Sequence, residues 1–92
     1  MSPTIITVNE EIGFHPGYYI QEIIDDKNTS IEDFANKANI DVNTLNRILQ
    51  GNQAVTEETA HCLSVATGMS TQMWLNLQSA YDKLLNKQNR KT

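Results

Sequence analysis

SIEDFANKANIDVNTLNRILQG, residues 30–51, carries apolar side chains at helical spacing twice. Ile31, Phe34, Ala35 and Ala38 form the first set, and Val42, Leu45, Ile48 and Leu49 the second, with a break at Asn39-Ile40-Asp41 between them. The stretch therefore predicts two short helices joined by a tight turn. Ser30 and Asp41 each stand where a side-chain oxygen can accept from the free N–H groups of the following first turn. Asn39 tolerates the left-handed backbone that such a turn needs, and Gly51 suits the position just past a helix C-terminus. A bihelical unit of this spacing is a helix-turn-helix candidate, in which the first helix spans the DNA backbone and the second enters the major groove.

The remainder of the chain is consistent with one small domain: 92 residues, 39% of them hydrophobic and 20% charged, suffice for a modest core. No apolar run reaches membrane-spanning length and the N-terminus lacks a secretory pattern, so a cytoplasmic protein is expected. Cys62 is the only cysteine, and His15 and His61 the only histidines. They offer no disulfide and no repeated zinc spacing, so neither a metal nor a cofactor is expected. Cys62 falls on the apolar side of a predicted helix, where it reads as a small buried hydrophobe.

A formal net charge of −4 is unusual for a nucleic-acid binder. All eleven acidic residues lie at or before Asp82, whereas Lys83, Lys87, Arg90 and Lys91 supply four of the seven Lys and Arg. This basic end reads as a solvated helix terminus whose cations oppose the helix dipole.

Taken in order, residues 1–14 form an N-terminal arm whose TIITV run, residues 4–8, suits a strand, an extended segment or a segment without fixed structure. Pro16 can occupy a first helical turn, and Tyr19, Ile20, Ile23 and Ile24 make one stripe of a helix over residues 17–27. After the two helices of residues 30–51 and a loop at 52–55, Thr56 caps a fourth helix with Glu57 and Glu58 in its first turn, and Gly68 ends it. Ser70 or Thr71 opens a fifth and longest helix reaching about residue 88. The expected fold is an all-α, five-helix bundle over residues 15–88, followed by a basic tail at 89–92. In the last helix Trp74, Leu77, Tyr81 and Leu84 make one stripe while Leu75 and Leu85 lie off it. Two apolar sides call either for a partner or for other elements of the same chain.

Three stretches resemble the HigA/VapI family of toxin–antitoxin antidotes, a branch of the Xre-type, lambda-repressor-like helix-turn-helix proteins. They are His15-Pro16-Gly17; the frame from Phe34-Ala35 to Gly51 with Ile40, Leu45, Ile48 and Leu49; and Trp74-Leu75-Asn76-Leu77-Gln78 followed by Tyr81-Asp82. Together they span about residues 14–84. The resemblance implies a cytoplasmic homodimer that binds double-stranded DNA at a palindromic operator of its own promoter and neutralises a HigB toxin, a RelE-like ribosome-dependent mRNA endonuclease. Half-sites would then lie about 34 Å apart or a multiple of that.

The second helix of the pair sets Asn43, Thr44, Asn46, Arg47 and Gln50 on the side away from its apolar stripe. Such a face is either merely solvated or a reader of bases: Asn can pair with adenine, Arg with guanine, and Thr can touch a thymine methyl. With the resemblance, Asn43, Thr44 and Arg47 are the expected readers. Ser30, Thr44, Asn52 and Gln53, with backbone N–H groups at helix starts, are expected on phosphates. Positions matching Val42, Thr44, Asn52 and Gln53 are often basic in relatives, and Glu32, Asp33 and Asp41 add negative charge nearby, which predicts weakened or partner-assisted DNA binding. Trp74, Leu77, Gln78, Tyr81 and Leu84 read either as core or as the dimer interface that the resemblance implies.

No nucleophile–base pair or phosphate-cradling glycine loop is visible, so neither an enzyme nor a small-molecule substrate is expected. Two rivals remain: an interaction-only antitoxin whose acidic body matches a basic toxin, and an Xre-type repressor without a toxin.

Overall fold

The computed structural model describes residues 5–8 and 11–89. A two-stranded hairpin, β1 (Ile5–Val8) and β2 (Glu11–Phe14), precedes five helices. These are α1 (Pro16–Asp26), α2 (Ile31–Ala38), α3 (Val42–Leu49), α4 (Glu57–Thr67) and α5 (Thr71–Asn89). The expected five-helix bundle is present. None of the described helices is long and apolar enough to cross a membrane.

Local chemistry sets the helix ends. The ring Nδ1 of His15 accepts from the Gly17 N–H at 3.0 Å, which places Pro16 at the first helical position, so α1 begins and ends one residue before the expected 17–27. Ser30 Oγ accepts from Asp33 N–H at 3.0 Å and starts α2; Thr56 Oγ1 does the same from Thr59 N–H at 3.4 Å for α4. Ser70 Oγ accepts from Met73 N–H at 3.0 Å at the start of α5. Asn39, at φ 59, ends α2 in the left-handed conformation expected of it.

The main core gathers Ile20 of α1, Leu45 and Ile48 of α3, Leu63 of α4 and Trp74 of α5, all fully buried. Each buried aliphatic side chain of this size contributes about 1.5–3 kcal/mol. The helix starts of α1 and the end of α3 approach so closely that a Cβ on Gly17 would overlap the Ile48 backbone carbonyl. Only glycine fits there, which accounts for the third position of the His15-Pro16-Gly17 motif.

Residues 5–8 of the β-branched run are a strand, and its pairing with residues 11–14 was not foreseen. The ladder is antiparallel, with Ile5 opposite Phe14, Ile6 opposite Gly13 and Thr7 opposite Ile12. Period-two alternation turns Ile6 inward to a second core with Tyr81, Leu84 and the half-buried Leu85, while Ile5 and Ile12 face out. A Cβ on Gly13 would lie 2.6 Å from Leu84 Cδ2, so this glycine lets the hairpin sit directly on α5. Residues on and off the stripe both pack within the chain: Trp74, Leu75 and Leu77 on the main core along the first half of α5, and Tyr81, Leu84 and Leu85 on the second core along its later half.

Of the two readings left open for this α5 set, packing within the chain accounts for most of it as core: Trp74 is 0% exposed, and Gln78, Tyr81 and Leu84 are also buried. Leu77, half-buried, is the member of the set that still reaches the surface. Expectations for residues 1–4 of the arm and 90–92 of the basic tail lie outside the described residues.

Candidate nucleic-acid interface

Asp41 organises the start of α3. Its Oδ2 accepts from Asn43 N–H at 3.1 Å and from Thr44 N–H at 3.3 Å, so the cap read from sequence is formed. One turn on, the buried Leu45 and Ile48 fix which side of α3 faces the core, and Asn43 and Arg47 are left exposed on the other side. Thr44 and Asn46 are half-buried at its margins.

Arg47 is held. Its Nε–H donates to Gln53 Oε1 at 2.7 Å and its Nη2 to Thr44 Oγ1 at 3.3 Å. The chain can bring Gln53 back to Arg47 because Gly51, at φ 78, reverses it after α3, with Asn52 N–H bonding the Arg47 carbonyl at 2.8 Å. Asn52 Nδ2 donates to Gln50 Oε1 at 3.2 Å. Of the residues expected at DNA, the structure thus joins Thr44, Arg47 and Gln53 in one exposed network and sets Asn52 one residue away. Ser30 stands apart from this network, its hydroxyl capping α2.

Two buried side chains that sequence reasoning did not assign to this site hold the loop at residues 51–55. Gln78 of α5 accepts from Val55 N–H through Oε1 at 2.8 Å and donates through Nε2 to Asp82 Oδ1 at 2.9 Å. His15, 1% exposed, adds a hydrogen bond to the Gln53 backbone and stacks edge-on against Tyr81 at 5.0 Å. His15 thus both caps α1 and attaches to the loop. Burial lowers the His15 pKa from its ordinary 6.5, and the Gln53 bond and the Asp82 charge oppose this less strongly. Burial, then Asp82, raises the Tyr81 pKa. No local pattern could have linked Gln78 to Val55 across the intervening fourth helix.

Among the described residues no three His, Cys, Asp or Glu side chains gather as a metal site would require. Cys62 is a half-buried free thiol on α4. The chemistry on offer is that of a polar helix face: amide, hydroxyl and guanidinium groups on an exposed α3, the arrangement of a helix-turn-helix protein.

Known proteins agree. YddM, an uncharacterised helix-turn-helix-type transcriptional regulator of Escherichia coli K12, is 48% identical over 66 residues, which span 72% of this chain and 70% of YddM. The chain belongs to the HigA/VapI family of Xre-type helix-turn-helix antidotes. A Nostoc punctiforme protein described as an antidote of a plasmid maintenance system superposes with a TM-score of 0.83 at 30% identity, over 86% of this chain and 87% of its own. A HigA-family addiction module antidote from Coxiella burnetii gives 0.77 at 31%, over 83% and 84%. The Pseudomonas aeruginosa antitoxin HigA, solved with the higBA promoter, gives 0.71 at 27%, over 75% and 76%. No family model matches the chain.

Proposed function

We propose that this chain is the antitoxin of a type II toxin–antitoxin module, neutralising a HigB/RelE-like mRNA endonuclease and, as a homodimer, repressing its own operon at a palindromic operator. The observation that carries the DNA half is the exposed α3 face, where Asn43, Thr44 and Arg47 present amide, hydroxyl and guanidinium groups beside a formed helix-turn-helix frame. The promoter complex of the P. aeruginosa HigA supports it. Arg47 and Asn43 are the readers of bases; Ser30 and Asn52, at the ends of the unit, hydrogen-bond phosphates, and Asn46 borders the contact. Dimerisation uses the surface left outside the core, Leu77 with the exposed Ile12 and Ala80, which line one groove between the hairpin and α5. The acidic body suits a basic toxin.

A second reading, an antitoxin that has lost DNA binding, is favoured by one observation. Between them α2 and α3 carry two cations, Lys37 and Arg47, against Glu32, Asp33 and the capping Asp41 at their starts.

One experiment separates the two. Fluorescence anisotropy of the purified chain on its own upstream DNA, over a salt series and with or without the adjacent gene product, should give saturable, salt-sensitive binding that a scrambled duplex does not match. Tight partner binding with no DNA binding in either condition would establish the second reading instead.

A further inference from the structure

Arg47 offers five N–H donors in a planar fork, and two are already engaged. Gln53 takes Nε–H and Thr44 takes one hydrogen of Nη2, so the side edge of the guanidinium is occupied and the end-on pair, Nη1 with the second hydrogen of Nη2, is left for a ligand. An end-on pair of donors matches the two acceptors that guanine shows in the major groove. The holder is itself anchored, because Gln53 sits in a loop pinned from inside by the buried Gln78 and His15. An exposed arginine without such a holder samples many rotamers and must lose that freedom on binding.

We infer that Gln53 is a positioning residue rather than a DNA contact: it fixes Arg47 end-on, and so acts on the operator only through Arg47. This rests on the operator-binding reading. It differs from the expectation that Gln53 itself meets a phosphate.

The test has two arms. In the first, 15N relaxation of the Arg47 Nε–H in the free wild-type protein should show a rigid group, and Gln53→Met, which keeps the length but not the acceptor, should lower its order parameter below about 0.6. A flexible Arg47 Nε–H in the wild type overturns the proposal. In the second arm, a cycle of Gln53→Met and Arg47→Ala is read as the ratio of operator to scrambled-duplex affinity. Gln53→Met should cut that ratio by about 5-fold or more when Arg47 is present and by less than about 2-fold in the Arg47→Ala background. Equal losses in both backgrounds would mean that Gln53 touches DNA itself, and the proposal falls while the operator reading survives. Gln53→Glu, which keeps the acceptor and adds a negative charge, should weaken both duplexes alike and leave the ratio near the wild-type value; a collapsed ratio there also counts against positioning. A wild-type chain that treats both duplexes alike removes the operator reading and this inference with it.

Discussion

A methyl group on Gly17 would have to share space with the Ile48 carbonyl, and backbone on backbone cannot move aside as a side-chain tip can. Gly17→Ala should therefore cost about 1–3 kcal/mol in urea unfolding despite the better helix propensity of alanine, and an unchanged midpoint would show that α1 and α3 can separate freely. His15 makes a second prediction. Its pKa is lower in the folded chain than the ordinary 6.5, so the folded state binds fewer protons than the unfolded one below that pH. The stability that depends on the neutral ring is fully present above about pH 6.5 and is lost as pH falls below it, because a charged ring must give up its Nδ1 acceptor role toward Gly17 and stay buried beside Tyr81, with Asp82 the nearest opposing charge. Urea midpoints measured from pH 8 to pH 5 should fall more for the wild type than for His15→Asn, whose amide oxygen can cap without titrating. Parallel curves would locate the acid sensitivity elsewhere.

At the level of single elements, the start of α3 combines two demands that conflict. Asp41 caps the helix with two hydrogen bonds, yet in the proposed operator complex its carboxylate would bring negative charge toward phosphate. Asp41→Asn keeps an accepting oxygen and removes the charge. It should change stability by about 0.5 kcal/mol or less and tighten DNA binding several-fold at low salt, the gain shrinking as salt rises; Asp41→Ala should cost about 1 kcal/mol of stability. An asparagine variant that binds no tighter than the wild type at low salt would remove Asp41 from the contact. The caps were also the part of the fold most legible beforehand, because Ser30 with Asp33, Asp41 with Thr44, Thr56 with Thr59 and the left-handed Asn39 all act within three or four residues. β2 was not legible: Glu-Ile-Gly-Phe has a glycine where strand propensity is wanted, and its reason, the close approach of Leu84, comes from a distant helix. The same holds for Gln78, which reads as one polar residue on a long helix until Val55 is placed above it. For α3 the polar face was visible from its period, whereas the bond that holds Arg47 depends on the reversal at Gly51.

For the molecule as a whole, the packing of α5 separates stability from assembly. Trp74→Ala empties the centre of the core and should unfold the chain or cost about 3–5 kcal/mol, so it reports on folding and not on pairing. Leu77→Glu puts a charge on the half-buried surface beside Ile12 and Ala80 instead. It should leave the circular dichroism spectrum intact and shift sedimentation to the monomer; a folded dimer would place the interface elsewhere. Whether the apolar residues of α5 meet a partner or their own chain could not be decided from periodicity, since both answers give the same spacing; at Tyr81 and Leu84 the chain's own hairpin packs against them. That hairpin also sets an order on birth. Ile6 is made before Tyr81 and Leu84 and finds them only once α5 has been translated, whereas the contacts of α1 with α3 close over shorter stretches as they emerge. During that interval the apolar side of β1 is uncovered, and the strand is open to chaperones and to neighbouring chains on the same message.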